Sequence, residues 1–109
     1  MTVYSHDDTC EWDDQKNLLN IKKHHISFET ASKVFLDPFF LEIPDEDHSE
    51  TEERFQGFGS VFGITIVTVF YTERCSDGKE RHRIISARSV DSKERKAYEE
   101  FIKSYTGTN

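Results

Sequence analysis

The chemistry this sequence offers begins with arginines set among strand residues. The run Arg81-His82-Arg83-Ile84-Ile85-Ser86-Ala87-Arg88 reads as a strand that closes on a guanidinium. With a period of two, His82, Ile84, Ser86 and Arg88 share one face, and Arg81, Arg83, Ile85 and Ala87 the other. A cation at a strand end, on the face of a hydroxyl, is partly shielded yet within reach of a ligand. The planar fork of arginine matches two oxygens of a phosphate and stays charged at every relevant pH. The plainer reading of Arg88 is an ion pair with one of many carboxylates, because paired charges are often purely structural. A second polar group lies earlier, where Lys16, Asn20, Lys23 and His24 fall within successive i, i+3 and i+4 reach on one helix face. The plainer reading there is a solvated face.

These cations stand in an acidic chain of net charge −7, and their distribution says more than the sum. Residues 1–60 hold 5 Lys/Arg against 14 Asp/Glu, and residues 61–109 hold 9 against 7. Lys79, Arg81, Arg83, Arg88, Lys93, Arg95 and Lys96 gather on the return strand and the segment after it, which suggests a local phosphate-binding surface. At 109 residues the chain is expected to form a single domain, 1–109, with residues 1–9 and 106–109 flexible. Nine Phe, four Tyr and one Trp give it large burial per residue. No apolar run approaches 18 residues and no signal-peptide pattern is visible, so a cytoplasmic protein without membrane contact is expected. Cys10 and Cys75 are isolated and fit reduced thiols.

The elements that must position the cations emerge from pattern. Residues 64–71 (ITIVTVFY) suit a pleated, buried strand, and Ser76-Asp77-Gly78-Lys79 supplies turn chemistry between it and residues 81–88. A central antiparallel hairpin results. Cys10-Glu11-Trp12 is a short edge strand that places Trp12 on the core. Asp13 caps a helix with Leu18, Leu19 and Ile21 at its apolar positions, ending at His24-His25. Ser27 caps a second helix whose stripe of Phe28, Ala31, Val34 and Phe35 is core, closed by Asp37-Pro38. Phe39 to Ile43 is a strand, Asp45 to Glu53 an acidic loop over one sheet edge, and Arg54 to Gly59 a strand whose Gly59 opens the turn into the central hairpin. Asp91 and Glu94 make a capping pair for a helix with Ala97, Tyr98, Phe101, Ile102 and Tyr105 on one stripe. The order is two N-terminal helices, a four-stranded antiparallel meander and a C-terminal helix, an α+β fold.

Three colinear blocks add a resemblance. WDDQKNLLNIKKHHISFETASKVFLDP, DHSETEERFQGFG and RIISARSVDSKERKAYE resemble the BrnT family of bacterial type II toxins, over most of Trp12 to Glu99. The resemblance implies a RelE-like fold, a small sheet carrying helices on one side. It implies ribosome-independent RNA cleavage that inhibits translation and growth, and neutralisation by a BrnA-like antitoxin. Toxin and antitoxin in that family assemble into a higher-order complex that represses its own operon, with the operator DNA read mainly by the antitoxin. One departure is visible: the family usually has glycine where this chain has His25. Glycine there would serve as a left-handed C-cap, so the local placement of His24 turns on whether His25 accepts that conformation.

Metal-free RNA cleavage needs a group to take the 2′-hydroxyl proton, one to stabilise the phosphorane, and one to protonate the 5′-oxygen. Under the resemblance, Arg88 is the first choice for charge stabilisation and Arg74 the second, with a salt bridge the rival reading for Arg74. His24 and Lys23 are candidates for proton transfer or phosphate contact, since histidine titrates near neutrality. The rival for His24 is a helix-end residue bonding free carbonyls. Glu53 is a candidate base, against an ion pair with a nearby arginine, and Arg54, Arg83 and Lys16 are candidate RNA contacts. His48 with His24 and His25 has no metal-ligand spacing, so neither metal nor other cofactor is expected. The competing function is a catalytically inactive module of the same fold, kept for partner binding or regulation.

Overall fold

The computed structural model describes residues 1–48 and 52–107. Its elements in chain order are β1 (Thr2–Tyr4), β2 (Cys10–Asp13), α1 (Asp14–His24), α2 (Phe28–Ala31), a 3-10 turn (Ser32–Leu36) and β3 (Leu41–Pro44). A short 3-10 turn (Glu46–His48), β4 (Arg54–Val61), β5 (Thr65–Ser76), β6 (Lys79–Ser89) and α3 (Ser92–Thr106) complete it. The fold is α+β. The strands form one six-stranded sheet in the order β1-β2-β6-β5-β4-β3.

The expected meander is present as β3 to β6, each antiparallel to the next. The sheet nevertheless has six strands rather than four. Thr2–Tyr4, expected as aperiodic leader, pairs antiparallel with β2. Cys10–Asp13 is therefore not an edge, and it joins β6 in parallel through Cys10 opposite His82 and Glu11 opposite Arg83. A three-residue strand and a parallel pair roughly 70 positions apart leave no local pattern, so propensity could not show either. The second N-terminal helix is one α-helical turn that runs on into the 3-10 turn.

Local chemistry accounts for the helix ends. Asp13 accepts from the Lys16 N–H at 3.1 Å, and Ser27 from the Thr30 N–H at 3.1 Å. Asp91 and Glu94 form a complete capping box on α3. His25 does accept the left-handed C-cap position, at φ 61°, and donates its backbone N–H to the Ile21 carbonyl at 2.8 Å. Histidine is one of the residues that tolerate this region better than most. The last turn of α3 reaches Thr106, and Gly107 caps it at φ 73°. Of the acidic loop, residues 49–51 lie outside the described residues, as do 108–109.

The hairpin turns are tighter than expected. Asp77 and Gly78, at φ 53° and 76°, make the two-residue turn between β5 and β6, the left-handed pair that right-twisted strands favour. The turn between β4 and β5 comes at Phe62-Gly63, not at Gly59. Gly59 lies inside β4, where an added Cβ would stand 2.8 Å from the Val34 Cβ and backbone oxygen.

The core lies between the sheet and the α1–α2 layer, with Trp12, Phe28, Val34, Val69, Tyr71 and Ile84 buried together. All three apolar expectations on α1 fail: Leu18, Leu19 and Ile21 are 54%, 66% and 39% exposed, while Asn20 is buried. At 100° per residue, positions 18, 19 and 21 fall within one arc of about 160°, and that arc faces solvent while Asn20, on the opposite side, faces β6.

Candidate functional site

A single irregularity in β6 sets the direction of every arginine on it. Phe70 pairs with Ser86 but Tyr71 pairs with Ile84, so Ile85 is an extra residue in the ladder, a β-bulge. The period-two sorting read from sequence therefore breaks at Ile85. His82 and Ile84 face the α1–α2 layer with Ala87, the His82 ring stacking on Phe35 at 4.0 Å. Ser86 and Arg88 face the other way. They share that face with Arg81 and Arg83, opposite Arg74 and Thr72, and with Arg54 across Thr72. Five arginines thus line one face. α3 lies over part of the same face, so helices cover both sides of the sheet rather than one.

α1 reaches the site by standing in for a missing strand. β2 covers β6 only at His82 and Arg83, which leaves its other half open-edged. There the Asn20 side chain accepts from the Ala87 N–H at 3.1 Å and donates to the Ala87 carbonyl at 2.9 Å. Its Nδ2 also donates to the Ile26 carbonyl at 2.9 Å, tying down the turn after α1. This amide satisfies the backbone groups a neighbouring strand would have taken. Lys16, Lys23 and His24 are consequently held beside Ile85 and Ser86, around a groove of 260 Å³. His24 also lines a second cavity of 520 Å³ that extends to Val61, Phe62 and Ile64.

Arg88 sits at the end of this edge. Its two terminal nitrogens donate to the two oxygens of Glu94 at 2.7 and 3.0 Å, a fork-to-fork pair. The guanidinium lies 5.7 Å from the centre of the Phe70 ring. Glu94 also accepts from Gln56 Nε2 at 2.8 Å and from the Asp91 N–H at 3.0 Å. Burial pushes the Glu94 carboxyl up, but these hydrogen bonds outweigh it and hold the group below its ordinary range. His24 is pushed down by burial, then by the cations of Lys23, Arg88 and His25. The imidazole and the Arg88 guanidinium thus lie close enough to act on each other's charge.

Residues 12–94 match the family described as the ribonuclease toxin BrnT of type II toxin–antitoxin systems. The chain belongs to this family. Among solved structures, the crystal structure of the Brucella abortus ribonuclease toxin BrnT is similar at 27% identity and a TM-score of 0.56. The match covers 74% of this chain and 94% of that one. No curated protein matches the chain. A type II toxin has a cognate antitoxin as its partner.

All eight candidate residues fall inside the stretch shared with the BrnT family, yet the fold divides them. Lys16, Lys23 and His24 come together at the open edge of β6 beside Ile85 and Ser86, and Arg88, two residues farther along that strand, is near enough for its charge to act on His24. Arg74 does not join them: it lies six residues along β5 from the partner of Arg88, about 20 Å away at strand rise. Arg74 pairs with Glu52 at 2.9 Å, Arg83 with Glu11, and Arg54 with Asp45 at 3.9 Å. Glu53 is exposed beside Arg54, at that same distant end. Arg81 and Lys79 share Asp8 there. The far end is a network of ion pairs.

Three participants escape a reading of the sequence alone. Asn20 sorts with solvated residues by pattern, because Leu18, Leu19 and Ile21 mark the opposite side of α1 as its apolar face. Glu94 reads only as a capping residue, and nothing local shows that it also spans to Arg88. Phe62 is hidden within a strand-like run. Among the described residues, no group of three or more His, Cys, Asp or Glu is arranged to hold a metal ion. Among them, too, no helix is long and apolar enough to cross a membrane.

Proposed function

We propose that this chain is an endoribonuclease toxin that cleaves RNA by metal-free attack of the 2′-hydroxyl on the adjacent phosphate. The observation carrying this reading is the convergence of Lys16, Lys23 and His24 on the Ser86–Arg88 edge. His24, held neutral at lower pH than an ordinary histidine, takes the 2′-hydroxyl proton. The oxygen attacks phosphorus, charge builds on the non-bridging oxygens, and the fork of Arg88 stabilises it. The bond to the 5′-oxygen breaks, a proton is delivered to that oxygen from Lys23 or from the newly protonated His24, and a 2′,3′-cyclic phosphate remains. Lys16 lies about two turns up α1 from His24 and contacts a neighbouring phosphate. Arg74, Arg54, Arg83 and Glu53 are too far from Arg88 to act on the same phosphate, so their service is structural or at the periphery of a long strand of RNA.

The partner is a BrnA-like antitoxin, which carries the operator-reading segment and gathers toxin copies into a higher-order assembly. The inactive-module reading keeps one specific support: Glu94 already fills the fork of Arg88. Substrate phosphate must displace or share that carboxylate.

Expression of the chain alone in bacteria separates the two. Growth arrest relieved by co-expressing the neighbouring antitoxin gene, with loss of both in Arg88→Ala, is the expected result. Indifferent growth together with intact RNA on incubation with purified protein would refute the enzyme.

A further inference from the structure

The cavity of 520 Å³ next to His24 is not used by the chemistry above. We infer that it is a nucleobase subsite, in which a base flanking the scissile phosphate stacks on Phe62. This rests on the ribonuclease reading of the neighbouring edge.

Three observations carry it. Phe62 is 73% exposed and Ile64 is 85% exposed at the mouth of the cavity. Neither belongs to the core or to the partly buried hydrophobics packed against it. Phe62 also sits at φ 57°. That is the first position of a turn closed by the Ile64 N–H on the Val61 carbonyl at 3.1 Å. Left-handed backbone is an outlier for a bulky residue, and asparagine or glycine would fill the same position with less strain. Strain retained at an exposed aromatic is accounted for when the ring has a task.

The third observation is charge. Among the described residues, none lining this cavity or the adjoining 260 Å³ groove is acidic, in a chain with 21 Asp and Glu. His24 borders both, and Lys23 and Lys16 border the groove. A strand of RNA could run its phosphates along Lys16, Lys23 and His24 and turn one base into the apolar cavity against Phe62 and Ile64. Single-stranded nucleic acid is bound in this way, by a cationic track with an aromatic stacking platform beside it.

The test uses 2′-O-methyl pentaribonucleotides of each base, which lack the attacking hydroxyl, as labelled probes in fluorescence polarisation with the full chain. Phe62→Ala is expected to weaken binding about 10-fold or more, while Phe62→Tyr stays near the parent. The salt dependence of binding should be unchanged in Phe62→Ala, and its slope should fall by about 0.7 in Lys23→Ala, which loses one phosphate contact. Phe62→Asn should raise the melting temperature while weakening binding, separating the stacking role from any folding role. Parent-like probe binding by Phe62→Ala, with Lys23→Ala and Arg88→Ala both weakened, would remove the subsite and leave the ribonuclease standing. Loss of antitoxin binding in Phe62→Ala without loss of RNA binding would instead make the cavity a protein-docking site and overturn the inference. Failure of the parent to bind any probe or to cleave RNA would bring down the ribonuclease reading and the subsite with it.

Discussion

Asn20→Ala should both destabilise the protein and disable it. The side chain is buried and makes three hydrogen bonds, two to the peptide groups of Ala87 and one to the Ile26 carbonyl. Truncation leaves two backbone groups without this partner at the edge of β6 and one in the turn after α1. At about 1 kcal/mol for each bond lost, with a further penalty for any group kept dry, the cost is about 3 kcal/mol. For a chain of this size that is a fall in Tm of about 12 °C. Asn20→Asp keeps the acceptor for the Ala87 N–H but sets a carboxylate oxygen against two carbonyls, so it should be no better than alanine. The functional effect comes from placement. Without the amide, α1 is no longer fixed to β6, and Lys16, Lys23 and His24 shift relative to Arg88. A displacement of about 1 Å costs on the order of 10²-fold in rate. Denaturant unfolding at 25 °C gives the first quantity, and RNA cleavage per folded molecule at low temperature gives the second. A parent-like Tm for Asn20→Ala would refute the strand-surrogate role. A normal Tm deficit with parent-like cleavage would show that α1 does not position the catalytic groups.

Three further outcomes are expected. Arg88→Lys should fail nearly as badly as Arg88→Ala, with cleavage reduced about 10²–10³-fold, because an ammonium cannot reproduce the bidentate fork. Stability should change by only about 0–1 kcal/mol, as for other partly exposed pairs, and partial rescue by lysine with a lowered Tm would mark Arg88 as structural. If His24 is the base, cleavage should rise with pH through a midpoint below 6.5, since burial and the cations of Lys23, Arg88 and His25 favour the neutral ring. Lys23→Gln removes one of those cations and should move the midpoint up, and a pH-independent rate in the parent would exclude the role. Asp7 is held at about 2 by the hydroxyls of Thr9 and Ser5. A carboxyl lowered on folding stabilises above its unfolded value near 4 and loses that contribution as pH falls toward 2. Asp7→Asn should therefore cost about 1 kcal/mol at pH 7, discounted for exposure, and only a small fraction of that near pH 2. Urea midpoints at the two pH values check it.

Short-range chemistry was legible in the residues alone. Asp13, Ser27 and the Asp91–Glu94 pair start helices through bonds that span three residues. The antiparallel meander comes from apolar strands joined by tight turns, and the three colinear blocks point to the BrnT family. Folding in three dimensions settled the remainder. One inserted residue at Ile85 turns Arg88 and Ser86 away from His82 and Ile84, because side-chain direction in a strand is a parity and any single insertion inverts it. Cys10 meets His82 across 72 positions, so the parallel pair that seats β2 has no local signature. Asn20 has the look of a surface residue until the open edge of β6 is known, since a buried amide is satisfied only by particular backbone groups and those come from residue 87. The link from Gln56 to Glu94 spans 38 positions, and the six from Arg88 to Glu94 close only because α3 turns back over the sheet, so a residue that caps a helix also holds the arginine of the site.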